Sequence, residues 1–163
     1  METQHKHSMH EKDHNKIMYR KLALMITLSF ITMYILMYAM VNRFSNVFPN
    51  INQFYMAGLM SMPMLLLELI IMGGMYKNKR LNGFLLAAAL VLTITFFLYI
   101  RQQAAVTDKQ FVKSMIPHHA GAILMVEKAS LKDPEVKELA RNIIHSQEKE
   151  IEQMKAILKR LKK

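Results

Sequence analysis

No cysteine occurs among the 163 residues, which excludes a disulfide framework, a thiolate metal site and a redox thiol. The lack fits an extracytoplasmic domain that uses neither bridge nor thiol. Charge is also missing, but only locally. Residues 22–41 carry no charged side chain, 56–75 carry only Glu68, and 84–100 carry none. A hydrocarbon layer about 30 Å thick requires ~20 apolar residues in helical form, with ~17 as the lower end. Three membrane spans are predicted, the third only just long enough. The first is expected to be retained rather than cleaved. Residues 1–21 precede it, its apolar run exceeds the ~7–15 residues of a signal peptide, and no small-residue cleavage site follows Val41. The chain further lacks a nucleophile–base pair, a phosphate-cradling loop and a carboxylate dyad, which leaves hydrolase and transferase chemistry no residues to use. With no strand signal and no internal repeat, the expected fold is all-α, and the expected role is binding rather than catalysis.

The formal charge of +10 is placed where it can set membrane orientation. The leader 1–21 carries Lys6, Lys12, Lys16, Arg20 and Lys21; residues 42–55 carry only Arg43; residues 76–83 carry Lys77, Lys79 and Arg80. Basic flanks stay on the cytoplasmic side. That predicts a cytoplasmic leader, a multi-pass protein of the cytoplasmic membrane, and an extracytoplasmic segment 101–163. Nucleic acid is not an expected partner, because aromatic and basic residues do not interleave as on an RNA surface. The lipid bilayer is.

Four of the seven histidines lie in the leader: His5, His7, His10 and His14. Such tracts can hold metal, but a solvated and largely disordered tail is the favoured reading. The second span holds Met56, Met60, Met64, Glu68, Met72 and Met75 at intervals of four, four, four, four and three. A soft-ligand stripe around a carboxylate could pass Cu(I); packing around a buried Glu68, or a dimer contact, is the preferred account. Pro63 and the pair Gly73-Gly74 are expected to loosen this helix.

The outer segment reads as a helical hairpin. Thr107 and Gln110 have the spacing of a capping box, and the helix they open is expected to reach about Ser130. Pro117 lies within it, so one backbone bond is lost and a kink is predicted. Asp133 followed by Pro134 and Glu135 starts a second helix, with acid at the positive end of the dipole. Its apolar face is Val136, Ala140, Ile143, Ile144, Gln147, Ile151, Met154 and Leu158, with His145 opposite. Two helices bury little surface, so a four-helix bundle across a homodimer is the economical completion.

Within the first outer helix, Met115, His118, Ala122 and Met125 share a face, with His119 adjacent to His118. Thioether sulfur suits Cu(I) and Ag(I), imidazole suits copper in either oxidation state, and neither suits Mg or Ca. The same residues also suit a core face in which methionine is filler and one histidine caps a neighbour. Both readings stand on these residues alone.

The run Phe111-Val112-Lys113-Ser114-Met115-Ile116-Pro117-His118-His119-Ala120-Gly121-Ala122-Ile123-Leu124-Met125 adds a further indication. It continues as Pro134-Glu135-Val136, Leu139-Ala140, Ile143-Ile144, Gln147, Glu150-Ile151 and Met154. Residues of about 108–158 thereby resemble the domain of unknown function numbered 305, which includes the CopM-type periplasmic copper- and silver-binding proteins. The resemblance implies a ferritin-like helical bundle and metal ligation by Met115, His118, His119, Met125 and Met154. This chain departs in having one hairpin, which favours assembly between chains. The expected domains are a leader 1–21, a membrane part 22–100 (spans 22–41, 56–75 and 84–100) and a metal-binding hairpin 101–163. The expected function is to sequester copper, as Cu(I), or to hand it on to a donor or acceptor protein not identified by sequence. The alternatives are a membrane-anchored interaction module without metal and a di-metal oxidase. The oxidase is weakened because the inner face of the second helix offers Gln147 and no acid.

Overall fold

The computed structural model describes the backbone of residues 2–161 and the side chains of residues 15–161. The leader histidines thus lie outside the described side chains. The helices are α1 (Glu2–Leu36), α2 (Ile51–Ile71), α3 (Lys79–Gln102), α4 (Asp108–Lys128) and α5 (Pro134–Arg160), with short 3-10 turns at Met37–Met40 and Phe44–Asn46. Among the described residues there is no strand. The leader backbone is helical from Glu2 rather than irregular. Extending a helix that the apolar segment has already started carries no second nucleation cost, and polarity alone does not reveal that.

Three helical stretches are long and apolar enough to cross a membrane: Asn15–Met40, Ile51–Ile71 and Lys79–Gln102. Apolar side chains such as Leu24, Leu28, Ile70, Ile71, Val91 and Phe97 point outward from them, as suits a lipid solvent. The second and third stretches begin five residues earlier than the charge-free runs predict, because asparagines cap them. Asn50 Oδ1 accepts from Gln53 N at 3.0 Å, and Asn78 Oδ1 accepts from Leu81 N at 3.0 Å. Pro63 is accommodated inside α2. The glycine pair does not loosen that helix but follows its end. Met75 N bonds to Met72 O and Tyr76 N to Gly73 O, while a Cβ at Gly73 would lie 2.8 Å from the Leu69 carbonyl.

The chain forms two compact units, residues 1–34 with 55–102 and residues 35–54 with 103–163. In the first, Leu22, Leu69 and Tyr76 form a core, flanked by Met18, Tyr19, Met25, Ile26, Leu65, Leu85 and Leu86. Buried Ala57, Gly58 and Ser61 give α2 a small-residue face, and a Cβ at Gly58 would come within 2.5 Å of the Phe96 ring. Small residues permit such approach between apolar helices. Glu68 is half-buried and accepts a hydrogen bond from the Tyr76 hydroxyl at 3.0 Å. Met60 and Met64 are exposed, and Met72 and Met75 lie beyond the helix, so the methionines form no enclosed line around the carboxylate.

In the second unit α4 and α5 pack against each other around a shared apolar core. Thr107 accepts from Gln110 N, and Asp133 accepts from Val136 N at 3.0 Å. The capping box is only half made: Gln110 Oε1 accepts instead from Ile51 N at 3.2 Å, satisfying a free donor in the first turn of α2. Residues 35–54, which the sequence divides between the end of the first span at residue 41 and the loop that follows, belong to this unit. Val41 and Phe48 pack on the hairpin core of Val112, Ile116, Ala120, Ile123, Ile151 and Leu158. The link into α4 holds Gln103 at φ 51° and Ala105 at φ 56°, left-handed values without glycine.

Candidate metal centre

Helix α4 runs unbroken from Asp108 to Lys128 through a buried Pro117. Its packing face is Val112, Ile116, Ala120 and Ile123, with Ile116 fully buried. This face lies about one residue, or ~100° of helix, from the strip of Met115, His118, Ala122 and Met125. The strip is consequently not the seam of the hairpin. Met115 and Ala122 are half-buried, His118 is exposed, and Met125 is 59% exposed. The physical cause is visible in the partner: Ile151, Leu158, Met154 and Ile157 of α5 meet the aliphatic row. Met154, half-buried, packs against this core from α5.

His119 stands at the edge between packing face and strip. Its side chain is 11% exposed, with Nδ1 2.9 Å from the Met115 carbonyl oxygen and Nε2 2.7 Å from Glu150 Oε2. A carbonyl oxygen only accepts, so Nδ1 carries a hydrogen and donates it. The short contact with the carboxylate engages Nε2 as well, so both ring nitrogens have an oxygen partner. The His118 ring lies edge-on to His119 with centroids 6.1 Å apart. Glu150 is 49% exposed and belongs to the rim of α5, next to buried Ile151. Sequence reasoning found no acid on the inner face of α5, and the face indeed has none; it missed that a rim carboxylate can reach across. The adjacent pair Glu150-Ile151 was the available signal. His145 is exposed, as its phase predicts.

The donor set fits a soft metal in part. Nδ1–H bound to a backbone carbonyl is the arrangement that leaves Nε2 as the ligating nitrogen, since histidines on metals usually donate their other N–H to such an acceptor. Two thioethers and a second imidazole stand on the same helix side. Among the described residues, no group of three or more His, Asp or Glu forms a ready cluster, so neither a pre-made di-metal carboxylate site nor a closed hard-cation cage is present there.

Comparison with known proteins identifies a family. The model of a domain of unknown function, DUF305, matches residues 72–158. That is more than the 108–158 anticipated from the motif, and it takes in α3. The chain is also 35% identical over 147 residues to uncharacterized protein L153 of Acanthamoeba polyphaga mimivirus, covering 84% of this chain and 90% of that protein. A likeness of that extent cannot fit within residues 72–163, so it reaches into α1 and α2. No solved structure matches. The length of the family match and the near-complete overlap with the viral protein lead to one conclusion: this chain belongs to the DUF305 family.

Proposed function

We propose that the protein is a membrane-anchored metal-binding protein that takes up copper as Cu(I), with Ag(I) as its chemical equivalent, and sequesters it or hands it on. The observation that carries this reading is the accessible strip of Met115, His118 and Met125 beside a His119 whose Nδ1 is held by a backbone carbonyl, leaving Nε2 as the nitrogen a metal would take from Glu150. No thiolate is involved, and the thioethers favour Cu(I) over Zn(II). The site binds without catalysing. Because the strip is open to one side, a second copy of the chain completes the coordination sphere, and the protein works as a homodimer. The basic leader and the 76–83 connection hold their ends of the spans in the cytoplasm, which puts the second unit outside the cytoplasmic membrane. A reporter fused after Lys163 is then active only outside, and one inserted at Asn78 only inside.

The test is an anaerobic Cu(I) titration of the full-length protein in neutral detergent against a competing chelator, beside Zn(II) and Mn(II). Cu(I) is expected to bind at least tenfold tighter than either, and His118→Ala to weaken Cu(I) binding and copper-induced dimerisation together. Zn(II) or Mn(II) bound tightly without a Cu(I) preference overturns the copper reading. One observation favours a second reading, a membrane-anchored interaction module: His119 is fully hydrogen-bonded by Met115 and Glu150 without any metal. In that case no metal binds, and His118→Ala leaves the oligomeric state unchanged.

A further inference from the structure

A groove in the first unit carries a different chemistry. Its inner part, about 390 Å³, is walled by Leu22, Ile26, Leu65 and Leu85. Its mouth, about 480 Å³, is lined by Lys16, Arg20 and Asn78. Tyr19, Ala23 and Leu81 line both parts, so the two adjoin across these side chains. Each volume lies in the range of small-molecule sites, roughly 300–1,000 Å³. From Lys16 to Ile26 the helix rises about 15 Å, so the adjoining hollows grade from two cations to aliphatic side chains over that length.

The shape is held from the side. The Tyr19 hydroxyl donates to Asn82 Oδ1 and lies 3.3 Å from the Asn78 carbonyl, and its ring tilts against Tyr76 at 5.3 Å. Ala23, exposed at the junction, is too small to close the passage. A cationic mouth leading to an apolar channel complements an anion with an acyl chain attached, and neither half suits a soluble anion or a neutral lipid as well. We propose that this groove is a binding site for one anionic glycerophospholipid, its phosphate between Lys16 and Arg20 and one acyl chain along Leu22, Ile26, Leu65 and Leu85. Basic pockets between spans commonly recognise such headgroups. The site owes nothing to the metal reading and stands or falls separately from it.

Native mass spectrometry of the full-length protein, delipidated in a neutral detergent, tests it with three probes: phosphatidylglycerol, phosphatidylcholine and inorganic phosphate. One phosphatidylglycerol per chain is expected, retained at least tenfold more tightly than phosphatidylcholine, with no binding of phosphate alone. Lys16→Gln with Arg20→Gln should cut that preference to within about twofold. Ala23→Phe should lower retention of both lipids at least fivefold, with helix content by circular dichroism verifying the fold. Equal retention of the two lipids by the unaltered protein, or an unchanged preference in the double variant, overturns the headgroup assignment. Unchanged retention in a folded Ala23→Phe variant overturns the groove. Phosphate binding as tight as the lipid would mean a soluble-anion site, and overturns the proposal as well.

Discussion

His119 Nε2, the nitrogen proposed to take a metal, already faces a carboxylate. It lies 2.7 Å from Glu150 Oε2, so ligation must break that contact. Copper affinity is also expected to fall as the solution is acidified, because imidazole ligates only when unprotonated. Glu150→Gln removes a competitor for Nε2; since the pair is half exposed, it is worth only about 0.2–1 kcal/mol. The variant should bind Cu(I) roughly two- to fivefold more tightly, readable by titration against a competing chelator. Weaker binding would make Glu150 a ligand instead. A proton matters at Tyr76, in the connection between α2 and α3. Burial, and then its hydrogen bond to Glu68, push its hydroxyl up from 10.0 to about 12. The folded state thus favours the protonated phenol. Its contribution to stability is complete below pH 10 and disappears as pH rises toward 12. Tyr76→Phe should flatten that alkaline limb in a thermal-unfolding series, leaving the neutral-pH curve lower but parallel.

Helices α2 and α3 meet where a side chain is missing. With a Cβ at position 58 only 2.5 Å from the Phe96 ring, Gly58→Val should cost about 1–3 kcal/mol by overpacking, and Phe96→Leu in the same chain should recover part of it. Thermal unfolding of the two single variants and the double variant measures that coupling; strict additivity would mean the ring swings aside freely. The apolar helices and both outer caps were legible in the sequence, because charge-free length and the Thr107 and Asp133 signals are local properties. The phase of α4 was not. Val112, Ile116, Ala120 and Ile123 form one strip, Met115, His118, Ala122 and Met125 its neighbour, and both have helical spacing with side chains that tolerate burial. What decides between them is the aliphatic row that α5 presents, and no local pattern carries that. Gln110 shows the same limit: its spacing from Thr107 suggests a reciprocal cap, yet a donor at Ile51, distant in sequence, takes its carbonyl.

Across the whole molecule, the pair α4 and α5 is not a self-contained appendage. Val41 and Phe48 complete its core from residues 35–54, and Asn46 is buried there, donating through Nδ2 to Asn42 Oδ1 at 2.9 Å. Phe48→Ala should destabilise the second unit by about 2 kcal/mol, given its partial burial. Hydrogen exchange of the full chain should show faster opening of amides in Val112–Ile123 and Ala140–Leu158, while α3 is unaffected. Unchanged exchange there would detach the loop from the hairpin. That division of one core between two distant stretches also imposes a schedule. Phe48 is made 110 residues before Leu158, a gap of roughly 5–20 s at ordinary elongation rates. Throughout that interval the early stretch waits with its aromatic and aliphatic side chains uncovered. A ribosome that stalls after α3 releases a product whose spans are complete but whose loop has no mate, and such a product marks itself for removal by the surface it leaves bare.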